Sequence, residues 1–302
     1  MLHGIMAEKS KNPLLGVDGT TIKHFAKIYT YPCGVQDIVA SSAPDFGAKG
    51  WEESGADAKR RPRSEAHERK SSDPKGEDLE RSMRRARGKL RRLALANDFR
   101  WFVTLTLDGA KVDRYDMRVI VSKLNAWCSN MVQRKGLRYI LVPERHEDGA
   151  IHFHGFFNDA LEVVDSGTLK LPGVKKPRRP KSEKQRAEWL ENGGHIVYNL
   201  PAWTLGFTTA IGVYGHYSAA VGYVCKYVGK QGEKPAGRWY YSGGDLRKPE
   251  VAFAEISPAE LLAEYGEKAF AFYPPGKQMA VVNGIVLEEV QIMEKPVDDV
   301  EI

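Results

Sequence analysis

Apolar residues recur along this chain in two rhythms. Alternation of apolar and polar positions, the period of a half-buried strand, marks "FRWFVTLTL" (99–107), "LRYILVPE" (137–144), "AIHFHGFF" (150–157), "GHIVYNL" and "GFTTAIGVY", with a late strand at "GRWYYS". Helical spacing predicts a helix over 77–96, where Leu79, Met83, Ala86, Leu90 and Leu93 recur between arginines. A second helix carries Ile120, Leu124, Trp127 and Met131, with Asp113 as its cap and Gly136 as its stop. A third runs over 215–230, "GHYSAAVGYVCKYVGK". Helix, strand, helix, strand–turn–strand, strands, helix is an α+β order. It predicts an antiparallel sheet with helices segregated to one face. No repeat of 20–50 residues is present.

The ends of the chain read differently. Residues 1–40 hold short apolar pieces such as "TIKHFAKIYTY", which predict a small hairpin. Residues 41–76 are rich in Ser, Gly, Pro and charge, too polar to offset their ordering entropy, and predict a flexible linker. The expected organisation is an N-terminal arm and linker (1–76), a folded domain (77–250) and an acidic C-terminal segment (251–302).

Composition sharpens this picture through charge. The 302 residues carry a formal +6, but residues 59–92 hold 14 Lys/Arg against 6 Asp/Glu, and residues 170–186 hold 8 against Glu183 alone. Residues 255–302 hold 10 acids against 3 lysines. Two basic blocks, the second read as an inserted loop, imply a polyanionic partner. Arg84, Arg85, Arg87 and Arg91 in the first block, and Lys175, Lys176, Arg178 and Arg179 in the second, are its expected contacts with nucleic acid. Cys33, Cys128 and Cys225 are too few and too scattered for a disulfide framework or a CxxC metal site. No apolar run approaches the ~20 residues of a membrane span. The N-terminus lacks the apolar core of a signal peptide, so the expected location is the cytoplasm.

Three stretches carry chemistry. In "IHFHGFF" (151–157), strand geometry puts His152 and His154 on one face. If Glu147-Asp148-Gly149 is a three-residue turn with Gly149 left-handed, Glu144 lies opposite His152 and diagonal to His154. Two imidazoles and a carboxylate can hold a divalent ion and leave positions open. A two-residue turn would instead send Glu144 to the other face. His146, His195 and His216 are further candidate ligands. In "YVCKYVGK" (223–230), Tyr-x-x-Lys occurs twice, so Tyr223 and Tyr227 share a helix face flanked by Lys226 and Lys230. A phenol with an ordinary pKa near ~10 attacks at neutral pH only where positive charge stabilises its anion or activates its target. The third stretch, "FVTLTLD" (102–108), places Thr104 and Thr106 on one face of a strand.

Taken in order, "FVTLTLD", "VPERHEDGAIHFHGFF" and "YVCKYVGK" resemble the three motifs of the HUH-superfamily rolling-circle replication initiators, closest to the phage and plasmid type with tandem tyrosines. The resemblance spans roughly 78–245. It implies a five-stranded antiparallel sheet of RRM-like build with the tyrosine helix facing a metal. It implies Mg²⁺ or Mn²⁺ held by His152, His154 and Glu144, with Tyr223 and Tyr227 as nucleophiles and Lys226 and Lys230 beside them. The implied activity is nicking and joining of single-stranded origin DNA through a 5′-phosphotyrosine, in a bacterial host's cytoplasm. No GxxxxGK[ST] phosphate loop is present, so a host helicase and DNA polymerase are the implied partners. The alternatives are a mobilisation relaxase, a transposase, or a DNA-binding protein without catalysis.

Overall fold

Alternation of period two does become sheet, and more of it than the pattern announces. The structure, a computed structural model, describes residues 25–42, 76–213, 217–230, 232–254, 256–272 and 279–286. In chain order these form β1 (Phe25–Thr30), β2 (Val35–Ser41), α1 (Gly76–Leu95), β3 (Trp101–Leu107), α2 (Met117–Lys135), β4 (Tyr139–Arg145), β5 (Ile151–Phe157), β6 (Val164–Lys170), α3 (Glu183–Glu191), β7 (His195–Asn199), β8 (Gly206–Gly212), α4 (Tyr217–Tyr227), β9 (Tyr241–Gly243), β10 (Glu250–Ala254), α5 (Pro258–Tyr265), β11 (Ala269–Phe272) and β12 (Met279–Val286). The class is α+β, with two antiparallel sheets.

The described residues fall into two compact units. One lies within Ser72–Lys248. Its sheet has seven strands in the order β6-β7-β8-β3-β5-β4-β9, where a five-stranded sheet is expected. The two additional strands are β6 and β7. "VDSGTLK" is too polar to alternate cleanly, and it ends where the basic 170–186 block begins. That block is accordingly not one loop. It runs from the last residue of β6 into α3, which Ser182 caps by accepting from the Gln185 backbone N–H.

Both faces of this sheet are covered, not one. On β3 the odd residues Trp101, Val103, Leu105 and Leu107 are buried. They join Leu141, Phe153 and Phe157 under Ile120, Leu124 and Trp127 of α2. The opposite face, with Phe102, His154 and Phe156, meets aromatic side chains of α4. Helix segregation fails because β4 and β5 are buried on alternate and intervening residues alike. Val221, Val224 and Val228 of α4 are fully buried, and the helix packs on α1, β4 and β5. Helix α2 stops at Gly136, left-handed at φ 69°, as predicted, but its N-cap is Asp116. Asp113 instead closes the preceding turn, accepting from the N–H groups of Tyr115 and Asp116.

The second unit comprises the described parts of Met1–Ser71 and Pro249–Ile302. The predicted hairpin is present as β1 and β2, and it continues into one sheet of order β10-β1-β2-β12-β11. Ala26, Ile38, Ala40, Leu261, Ala280 and Val282 form its core with α5. Where arms are expected, then, residues from both ends of the chain pair: Ala26 with Ala254 and Ala40 with Ala280. Partners more than 200 residues apart leave no local signature. The rest of the expected linker and acidic tail lies outside the described residues.

One glycine fixes how closely the central strands approach. A Cβ on Gly155 would sit 1.8 Å from the Ile140 carbonyl oxygen and 2.9 Å from Leu141 Cα. Backbone on a packed central strand cannot yield at low cost. Gly155→Ala is expected to destabilise the unit by roughly 3 kcal/mol or more, lowering the melting temperature by about 6–12 °C. A thermal melt within 2 °C of the parent (a difference of under about 1 kcal/mol) would contradict the overlap.

Candidate functional site

The strand pattern assembles the site row by row. β5 pairs with β4 so that Glu144 lies opposite His152 and Val142 opposite His154. The turn is Glu147-Asp148-Gly149: the His146 N–H donates to the Ala150 carbonyl at 2.8 Å, and Gly149 is left-handed at φ 87°. This is the three-residue register, which brings Glu144 to the histidine face. On the other side of β5, Thr104 pairs with His154 and Thr106 with His152. The threonine hydroxyls meet the rings: Thr104 Oγ1 is 3.1 Å from His154 Nδ1, and Thr106 Oγ1 is 3.3 Å from His152 Nδ1. Both rings are thus fixed through Nδ1, leaving Nε2 to face outward. Sequence alternation put these threonines on one face; only the register with β5 shows what they hold.

Glu144 is the hub. Its Oε2 is 2.8 Å from His154 Nε2, and its Oε1 is 2.6 Å from Lys230 Nζ. Burial raises the carboxyl pKa, but the bonds from His154 and Lys230 outweigh it and hold the group at about 2. The same bond pushes the Lys230 pKa up. His152 is pushed down, first by burial and then by the charges of His146 and His154. His146 stacks on His152 with centroids 4.9 Å apart. His195 is exposed on β7, three strands from β5, and His216 lies outside the described residues.

The tyrosines stand over this cluster. The Tyr227 ring stacks on His154, 4.3 Å between centroids and 14° between planes. Tyr223 meets it edge-on at 5.3 Å, and the two hydroxyls are 2.7 Å apart. Tyr223 is half exposed and also leans on Phe102. The Tyr227 hydroxyl is pushed well above the ordinary phenol range, by burial first and then by its bond to Tyr223 and the charge of Glu144. Lys230 Nζ lies 5.5 Å from the Tyr227 ring centroid. Lys226 is exposed.

Helix α1 holds α4 at both ends. Tyr217, at the start of α4, donates to the carbonyls of Ala94 and Asn97 at 2.8 Å each. At the other end, Arg87 Nε donates to the Val228 carbonyl at 2.8 Å, satisfying a terminal acceptor. Just beyond, Gly229 is left-handed at φ 75° with Met83 packed where a Cβ would go. Arg87, expected at the nucleic acid, therefore turns inward. Arg84 and Arg85 are exposed, Arg91 is half-buried, and Lys175, Lys176, Arg178 and Arg179 are exposed between β6 and α3. Arg179 donates to the Ser166 carbonyl at 3.2 Å. Arg87→Ala is expected to cost about 1–2 kcal/mol in chemical denaturation. It should also slow any reaction at Tyr227 more than it weakens DNA binding. Equal losses with Arg84→Ala would mean that both act only as surface charge.

Two imidazoles and a carboxylate on one strand face are a donor set that suits a divalent ion. Among the described residues, no three His, Cys, Asp or Glu side chains are grouped to hold an ion as they stand. The reason is visible: Glu144 is engaged by the protons of His154 and Lys230, while His152 lies against Thr106 and His146. The donors fit by chemistry and by face.

An α+β domain with a histidine–carboxylate strand face beneath a tyrosine-bearing helix is of the replication-initiator type. Residues 100–232, a little under half of the chain, match the family model of the replication-associated protein ORF2, and this domain belongs with that family. The family implies a role in DNA replication and contact with DNA. No curated protein and no solved structure matches the chain. No helix among the described residues is long and apolar enough to cross a membrane.

Proposed function

We propose that this protein initiates rolling-circle replication by nicking and rejoining single-stranded DNA at an origin. The observation that carries the reading is the Tyr227 ring lying flat on His154, with its hydroxyl bonded to that of Tyr223. A nucleophile is seated on the histidine–carboxylate face. His152, His154 and Glu144 would hold Mg²⁺ or Mn²⁺, which when bound draws charge off the phosphate oxygens. The phenol oxygen attacks phosphorus, the Tyr–O–P bond forms, and the P–O3′ bond breaks. The 3′ oxygen leaves as a hydroxyl that can prime a polymerase. The phenol proton passes to the adjacent hydroxyl or to water. Lys230, protonated and 5.5 Å from the Tyr227 ring, stabilises the anion that develops. The reverse transfer rejoins the strand, so no nucleotide cofactor is consumed. A host helicase and polymerase would supply unwinding and synthesis.

The test is incubation of the protein with labelled single strands of the origin that it serves, in Mn²⁺. A covalent adduct whose tryptic peptide maps to α4 is expected, and excess chelator should prevent it. Tight binding with no adduct on any strand would mark a DNA-binding protein without catalysis.

A further inference from the structure

We infer that Phe207 is a base-stacking platform for the single strand that crosses the tyrosine site. The inference rests on the proposed reading of that site but stands on a separate observation. β8 pairs with β3 so that Phe207 lies opposite Thr106. Thr106 lies opposite His152, and His152 opposite Glu144. Directly opposed residues share a face, so the four form one row across the sheet. Phe207 is then two strand spacings, about 10 Å, from His152.

The ring is 66% exposed, the most of any large hydrophobic among the described residues. It has no ring or hydrogen-bond partner among them. It does not belong to a broad apolar patch: its neighbours on the same face are Thr106 across the ladder and Thr209 along β8, both half-buried. A protein interface centres on clustered apolar anchors shielded from water. A lone π-face among hydroxyls, beside a cationic helix, is what sequence-tolerant single-strand binding uses. The cations are present, since α4 and the turn after it carry exposed Lys226 and Lys230. Gly206 permits the placement, because a Cβ there would sit 2.1 Å from the Thr106 carbonyl oxygen and drive β8 off β3. A strand whose phosphate lies over His152 and Glu144 can therefore lay a neighbouring base on Phe207.

The experiment compares full-length parent, Phe207→Ala and Phe207→Trp. Each is titrated by fluorescence anisotropy with oligothymidylate and with an abasic oligonucleotide of equal length. The parent should prefer oligothymidylate. Phe207→Ala should weaken oligothymidylate binding roughly 5- to 140-fold, leave abasic binding unchanged and lose the preference. Phe207→Trp should restore it. An unchanged preference in Phe207→Ala overturns the inference, as does a change in oligomeric state by light scattering with DNA binding intact, because the ring would then seat a second copy. If the parent forms no covalent adduct yet loses its base preference on Phe207→Ala, the platform stands and the nicking reading falls. An intact adduct with no base preference gives the reverse.

Discussion

A chain carrying both Tyr223→Phe and Tyr227→Phe should form no covalent DNA adduct, a loss of at least roughly 10⁴-fold in rate. Each substitution removes one oxygen and leaves the ring, so the stacking of Tyr227 on His154 and the edge contact between the rings survive. The two hydroxyls are each other's partners, and removing both leaves no orphaned donor between them. Stability should therefore change by less than about 1 kcal/mol, and a lost adduct reports chemistry. The single variants divide by position. Tyr227→Phe should lose more, because that ring sits on the histidine face. Tyr223→Phe, with its half-exposed partner position, should still cut an oligonucleotide but fail to release closed circles, since the second transfer needs a second nucleophile. Adduct gels with peptide mapping decide it. A double variant that still captures DNA would remove the tyrosines from the reaction.

Glu144→Gln and His154→Ala should each reduce adduct formation about 10²- to 10³-fold. Glu144 ties the site together, with one oxygen on His154 and the other on Lys230. The amide keeps the shape and loses the charge. Because Lys230 is itself largely exposed, its separation from Glu144 should cost little stability. Calorimetric titration gives an independent readout: Mn²⁺ uptake by the parent should be lost in both variants. Unchanged uptake would place the ion elsewhere, and unchanged adduct formation would remove the carboxylate from the chemistry.

Much of the site was legible in the sequence because local geometry determines it. The HxH spacing fixes a face, the Glu-Asp-Gly turn fixes the register that adds Glu144, and the four-residue spacing of Tyr223 and Tyr227 fixes their contact. What stayed hidden depends on distant pairing. Thr104 and Thr106 acquire meaning only when β3 lies beside β5. Arg87 read as one more arginine in a basic run, because nothing local says that a carbonyl 141 residues later needs it. The second sheet was invisible for the same reason, and the polar β6 and the helix after the basic block were obscured by charge.

The grip of α1 on α4 bears on where this protein can be cut. The family-matched segment begins at residue 100, five residues after α1 ends. A fragment trimmed to it would keep every histidine and tyrosine of the site and lose Arg87, Met83 and the carbonyl of Ala94. Val221, Val224 and Val228 would lose the helix that packs against theirs. The signature of the family is thus shorter than its smallest self-supporting piece here, and the arginine-rich stretch before it is scaffold as much as cargo handler.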